Sequence, residues 1–296
     1  TMTMIFGVPM AVFMGQLTLG LVNGAFYALL SLGLAVIFGL LKIVNFAHGA
    51  QYMLGAFAAL LGFRYLGINY WLALILVPLV VGGCGMLMER FLLRRIAHLD
   101  HLYGLLLTFG LALIFEGTLI NLFGVSGARY ATPEILQGGL NLGFMFLPTY
   151  RAWVLVAALA MCLFTWFMIE RTRLGAYLRA GTENSQLMQA FGVNVPLLIT
   201  LTYGFGVGLA AFAGVLAAPL YPVSPTMGSS LLIVVFAVVV IGGMGSILGA
   251  ILTGLGMGII EGLTKVYYPE ASNTVIFLVM ILVLMLRPAG LFGKEA

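Results

Sequence analysis

Apolar residues in this chain come in long runs and do not alternate with polar ones. The runs are Phe13–Leu41, Ala47–Phe63, Tyr70–Met88, Leu102–Phe123, Ala152–Ile169, Leu197–Leu216, Leu231–Ile241, Ile247–Val266 and Thr274–Leu286. A barrel strand alternates between a lipid face and a lumen face, and these runs are apolar on every face, so the pattern predicts helices. A helix needs about 20 apolar residues to cross the hydrocarbon of a bilayer. Leu231–Ile241 is too short for that and runs into Gly242, Gly243 and Gly245, which predicts a half-helix that enters and turns back. The pattern thus predicts an all-α polytopic membrane protein with about 8–9 transmembrane helices, some broken or re-entrant. Residues 1–296 read as one transmembrane domain. It has two long polar interruptions, 124–150 and a segment centred on 171–195.

The basic residues set the orientation. Lys42, Arg90, Arg94, Arg95, Arg171, Arg173, Arg179, Arg287 and Lys294 fall in one set of connections, and only Arg64, Arg129, Arg151 and Lys265 fall in the other. Positive charge stays on the cytoplasmic side, so the first set is inside, the N-terminus is outside and the number of crossings is odd. A re-entrant Leu231–Ile241 is at odds with that parity. No basic residue precedes Lys42, so the first run lacks the charged start of a secretory signal and is expected to remain in the mature chain.

Composition narrows the class. Hydrophobic residues make up 62% of the 296 and charged residues 7%, against roughly 25% in a soluble domain. Mean hydropathy is +1.16 and net charge +4. Such a chain cannot clothe itself in charge. That excludes a cytosolic enzyme, a disordered chain and a nucleic-acid binder, and makes membrane lipid the main surrounding. Cys84 and Cys162 lie in apolar runs and read as packed hydrophobes, not as a disulfide or a metal site.

Few residues offer chemistry. In the inner segment, Thr182 is positioned to cap a short helix, with Glu183 in its first turn, where the macrodipole favours a negative charge. Leu187 and Phe191 share a face, Met188 lies beside them, and Gly192 is a natural stop. This describes a short amphipathic helix outside the membrane. It either lies on lipid or its own protein, or docks into a groove on a cytoplasmic partner. Asn45-Phe46-Ala47-His48-Gly49 suits a broken helix or a tight turn whose freed backbone groups Asn45 and His48 satisfy, with Gln51 close behind. A structural His48 is favoured over a proton relay. Small residues recur every four positions at Gly206, Ala210, Gly214 and Ala218, and again at Ala250, Gly254, Gly258 and Gly262; close helix packing is the preferred reading for most of them, with room for a solute along a pathway as the alternative for some. Glu116 and Glu261 lie inside apolar runs. Glu261 has Lys265 four residues on, and Glu116 has no local partner. There is no nucleotide-binding G-x-x-x-x-G-K-[ST] run and no HExxH or GxSxG motif, so the chain is not expected to hydrolyse ATP or to be an enzyme. The cluster His98, Asp100 and His101 reads as a solvated loop, and no metal site or catalytic residue is assigned.

Several motifs stand in a recognisable order. They are Ile37-Phe38-Gly39, Asn45-Phe46-Ala47-His48-Gly49 and Gly55-Ala56; then Gly242-Gly243-Met244-Gly245-Ser246 with Gly249-Ala250 and Gly254; then Arg287-Pro288-Ala289-Gly290-Leu291-Phe292-Gly293. Over nearly its whole length the chain resembles the permease subunits of branched-chain amino acid ABC importers, a family that also carries urea and amides. Arg179-Ala180 through Gly192-Val193-Asn194 is similar to the family's coupling segment, although Leu187 and Met188 stand where small alanines are frequent. The resemblance implies a permease of the bacterial inner (cytoplasmic) membrane, paired with a second related permease or with a copy of itself. Two cytoplasmic ATPase subunits carry ATP and Mg, and an external, periplasmic solute-binding protein delivers the solute. It implies ATPase coupling through Arg179, Thr182, Glu183, Leu187, Met188, Phe191 and Gly192. Asn45, His48, Gln51, Glu116, Gly243, Met244 and Ser246 become candidates for the translocation path. Gly206, Gly214, Gly254 and Gly258 remain assigned to helix packing. An ion-coupled carrier or channel, or a membrane enzyme built on His48 or on His98 and His101, ranks below this reading.

Overall fold

The computed structural model describes residues 4–5 and 7–293, without the side chains of Met4, Ile5, Leu40 and Thr182. Lys294 lies outside the described residues. After a short hairpin of β1 (Met4–Ile5) and β2 (Val8–Pro9) come α1 (Met10–Leu41), α2 (His48–Leu66) and α3 (Tyr70–Met88). A π-turn at Glu89–Leu93 carries α3 into the short α4 (Arg94–Ile96), and α5 is His101–Phe123. The connection 124–148 holds a second hairpin, β3 (Gly139–Asn141) with β4 (Phe146–Pro148). Then follow α6 (Thr149–Arg171), α7 (Arg173–Glu183), α8 (Ser185–Ala190), α9 (Val195–Ala217), α10 (Met227–Gly242), α11 (Ile247–Tyr267) and α12 (Val275–Leu286).

Among the described residues, six helices are long and apolar enough to cross a membrane, within α1, α3 with α4, α5, α6, α9 and α11. The chain is a multi-pass helical membrane protein. The expected half-helix is longer than its apolar run, because α10 begins at Met227 and spans 16 residues, about 24 Å at 1.5 Å each. Its start is polar, and the helix absorbs the serines because Ser229 Oγ and Ser230 Oγ donate to the carbonyls of Thr226 and Met227.

The chain divides into two compact units. One takes in the chain through Ser31, Thr132–Cys162 and everything from Val234 onward. Its core is Ala237, Val238, Ile241, Met257, Ile276 and Val283. Here α1 and α11 meet backbone to backbone. A Cβ on Gly258 would lie 2.3 Å from Gly24 Cα, and one on Gly254 would lie 2.4 Å from Ala28 Cα. In hydrocarbon, helices gain little from burying apolar surface, so contact this close supplies the attraction.

The other unit is Leu32–Ala131 with Leu163–Ile233, in which α2 and α3 pack on α9. Gly206 lies against Gly33 and Ile37, and Gly214 against Tyr52. At the end that carries Arg64 and Arg129, Phe63 and Tyr70 stack around Tyr130, with ring centroids 5.5 and 6.4 Å from it, and Ala128 pairs with Val223. Burial pushes the Tyr130 phenol above its ordinary value.

Candidate functional site

The polar segment between α6 and α9 folds as two helices. Arg179 on α7 donates to the Ile169 carbonyl (3.1 Å) at the end of α6 and lies 3.7 Å from Glu170, which fixes the turn between them. The expected cap at Thr182 is displaced by two residues. Thr182 falls within the last turn of α7, its side chain lies outside the described residues, and Asn184 is the true cap, its Oδ1 accepting from Leu187 N at 2.9 Å. Asn is at least as good an N-cap as Thr, and its backbone here has left the helical region, as an N-cap must. Glu183 is consequently the last residue of α7 and not in the first turn of α8, so it does not meet the favourable end of a helix dipole.

The stop at Gly192 is as expected. Its φ is +83°, its N–H reaches Gln189 O, and Val193 N–H reaches back to Met188 O, a Schellman closure. Along this stretch Leu187 is 53% exposed and Phe191 74%, with Met188 half-buried between them. The chain covers neither large apolar side chain.

The α1–α2 link holds the buried polar set Asn45, His48 and Gln51. Asn45 Nδ2 donates to Gln51 Oε1 at 2.9 Å, and Asn45 Oδ1 accepts from Ala47 N at 3.1 Å. Phe46 N donates to Thr108 Oγ1 of α5, so the link is pinned from both sides. The His48 ring fits against Gly33, where a Cβ would come 3.0 Å from its Cε1.

Glu261 is buried. It accepts from Tyr27 OH at 2.6 Å and pairs with Lys265 through the expected i, i+4 contact. Glu116 is half-buried on α5, and among the described residues no ion pair or side-chain hydrogen bond reaches it. Asp100 serves as a helix cap, its Oδ1 accepting from Leu102 N.

Two motifs far apart in sequence turn out to be one structure. Gly243 has φ +98° and touches the C-terminal run so closely that a Cβ would lie 2.4 Å from Gly293 N. Leu291 N donates to Ile241 O and Phe292 N to Gly242 O, which satisfies carbonyls at the open end of α10. Ser246 then caps α11, its Oγ accepting from Gly249 N at 3.0 Å, while Met244 stays exposed.

Sequence reasoning missed an ion pair made by a buried carboxylate. Glu89 binds Arg94 through Nε–Oε1 (3.2 Å) and Nη2–Oε2 (3.0 Å), and Thr200 Oγ1 donates to the same carboxylate at 2.6 Å. Beside it lies a cavity of about 320 Å³, whose walls include Lys42, Glu89, Arg94, His101, Ser185 and Gln189.

Membrane-length helices joined by an extra-membrane segment that folds as α7 and α8 make this a polytopic membrane protein. Residues 16–284 match the family described as "Branched-chain amino acid transport system / permease component", and the chain belongs to that family. It is 31% identical over 300 residues to the high-affinity branched-chain amino acid transport system permease protein LivH of Escherichia coli (strain K12), covering 95% of this chain and 96% of that one. It is 30% identical over 304 residues to the corresponding protein BraD of Pseudomonas aeruginosa, at the same coverage. LivM of E. coli (strain K12) is 28% identical over 90% of this chain and 67% of its own length. The chain is a permease component of a transport system.

Proposed function

We propose that this chain is the transmembrane subunit of an ATP-driven importer. Its solute is a branched-chain amino acid or a similar small polar molecule, handed over by an external binding protein. The observation that carries the reading is kinship along almost the full length of chain and relative alike. The similarity to both LivH-type and LivM-type permeases supports a second, related permease as partner. Two ATPase subunits with ATP and Mg complete the machine on the cytoplasmic side of a bacterial inner membrane. The whole chain, 1–296, acts as one permease domain.

The same reading assigns nine crossings. Val223, just before α10, pairs with Ala128 in the connection that carries Arg129, and Gly242 at its other end meets Phe292, close to Arg287. The positive-inside assignment puts those ends on opposite sides, so α10 crosses even at 16 residues, and a locally thinned bilayer accommodates it. Crossings by α1, α2, α3, α5, α6, α9, α10, α11 and α12 then give the odd parity the charges demand.

Coupling falls to α7 and α8, where Leu187 and Phe191 offer an uncovered apolar face and Arg179 holds the segment to α6. Asn45, His48, Gln51 and Glu116 supply polar groups at membrane depth for the path, and Gly243, Met244 and Ser246 form the turn that gathers the C-terminal run. The test is affinity purification from cells expressing neighbouring transport genes. The two ATPases and a second permease are expected to come down with the tagged chain, and their absence from an intact, membrane-inserted chain overturns the reading.

Glu116 provides a second check. An ionisable group at this depth is costly unless it meets a partner or a water-filled path. Glu116→Gln is expected to leave expression near wild type and to lower uptake by about tenfold, the scale of one charge-assisted contact. Equal losses of expression and uptake would assign it a structural part.

A further inference from the structure

Glu89 and Arg94 stand five residues apart, which on an α-helix turns their side chains about 140° away from each other. The π-turn at Glu89–Leu93 removes that separation. Arg94 N–H reaches the Glu89 carbonyl, and the guanidinium comes back over the carboxylate fork to fork. Such turns inside α-helices are frequent at functional sites.

The pair does not close on itself. Arg94 Nη2 donates to the Pro196 carbonyl at 2.9 Å, and Thr200 Oγ1 donates to the Glu89 carboxylate. Pro196 and Thr200 lie in the opening turns of α9, which begins at Val195, five residues after α8 ends at Ala190. One charged knot therefore ties the end of α3 to the start of the helix that follows α8.

Three neighbouring features show that the joint has room to change. The cavity beside it is walled by Glu89 and Arg94 and also by Ser185 and Gln189 of α8. The Arg94 side chain is 38% exposed while that of Glu89 is 3% exposed, so the cation can exchange its partner for water and the carboxylate cannot without moving. Lys42, in the same wall, has φ +57°, a strained value for a residue with a side chain.

We propose that Glu89, Arg94 and Thr200 form the joint through which movement of α7 and α8 is passed to α3 and α9. They are positioning residues, not part of the solute path, and the inference rests on the coupling role of α8 proposed above. The experiment uses the complete transporter in proteoliposomes, with assembly, ATP hydrolysis and uptake all measured. Glu89→Gln and Arg94→Gln are expected to assemble with the ATPases, yet to lower solute taken up per ATP hydrolysed by about tenfold, the scale of one lost charge-assisted contact. Arg94→Lys, which keeps the charge, is expected to recover part of the loss. Thr200→Val removes one hydroxyl, keeps the fold even where the charge variants do not, and is expected to lower uptake per ATP in the same direction. Unchanged uptake per ATP in an assembled Thr200→Val or Arg94→Gln transporter overturns the joint alone. So does a loss of uptake matched by an equal loss of assembled complex, which is what a static staple gives. A wild-type chain that fails to bring down its ATPases overturns the coupling reading first, and the joint with it.

Discussion

Replacing Leu187 and Phe191 together by aspartate is expected to abolish copurification of the ATPase subunits while leaving membrane insertion intact. Both side chains are largely exposed, so their loss costs the fold little, within about 0.5 kcal/mol for each such surface change. Burying a Leu and a Phe in a partner's groove is worth about 1.5–3 kcal/mol each. Losing both lowers affinity by about two to four orders of magnitude, before counting the cost of desolvating two new carboxylates. The alternative, that α8 only rests on lipid, predicts a different result, since the double variant would then lift from the membrane surface and keep its ATPases. Copurification at wild-type yield, from a chain shown to be inserted, contradicts docking through this face.

The second large effect concerns the fold. Gly258→Val is expected to destabilise the α1–α11 crossing by about 3 kcal/mol or more, at or above the upper end for overpacking. The added Cβ meets Gly24 Cα and N at 2.3 Å and Gly20 O at 2.4 Å, and these are backbone atoms that cannot swing aside. Gly256→Val on the same helix is the control, because a Cβ there has nothing within 4 Å. Thermal unfolding in detergent is expected to show a clearly lowered midpoint, or no recoverable protein, for the first variant and a near-normal midpoint for the second. Equal midpoints would mean that the two helices do not pack as described.

The helices were legible because lipid leaves the sequence little freedom. A spanning segment must be long, apolar and internally hydrogen-bonded, and each expected run from Phe13–Leu41 to Thr274–Leu286 has its helix. The Glu261–Lys265 pair and the Gly192 stop were legible for a similar reason, being fixed by spacing along one helix. What escaped depends on events that spacing does not encode. The start of α10 was missed because Ser229 and Ser230 look like loop residues until their hydroxyls bond back to the turn before them. Thr182 and Asn184 are both capping residues by type, but Thr182 lies inside α7 while the backbone leaves the helix at Asn184, which takes the cap. The Glu89–Arg94 pair was hidden by its five-residue spacing, which is meaningless on an α-helix and meaningful only once a π-turn is present. Gly243 and Gly290 stand in separate sequence motifs, although they meet in one turn, where a Cβ on Gly290 would lie 2.5 Å from Gly243 Cα.

The central claim is that this permease component moves solute only when driven from outside itself. Uptake of a radiolabelled branched-chain amino acid into proteoliposomes tests it most directly, comparing this chain alone with the chain joined by its second permease, the two ATPases and the binding protein. The account predicts uptake in the complete assembly with ATP and Mg, and none without ATP or without the ATPases. Sustained uptake by this chain alone under an ion gradient would contradict it.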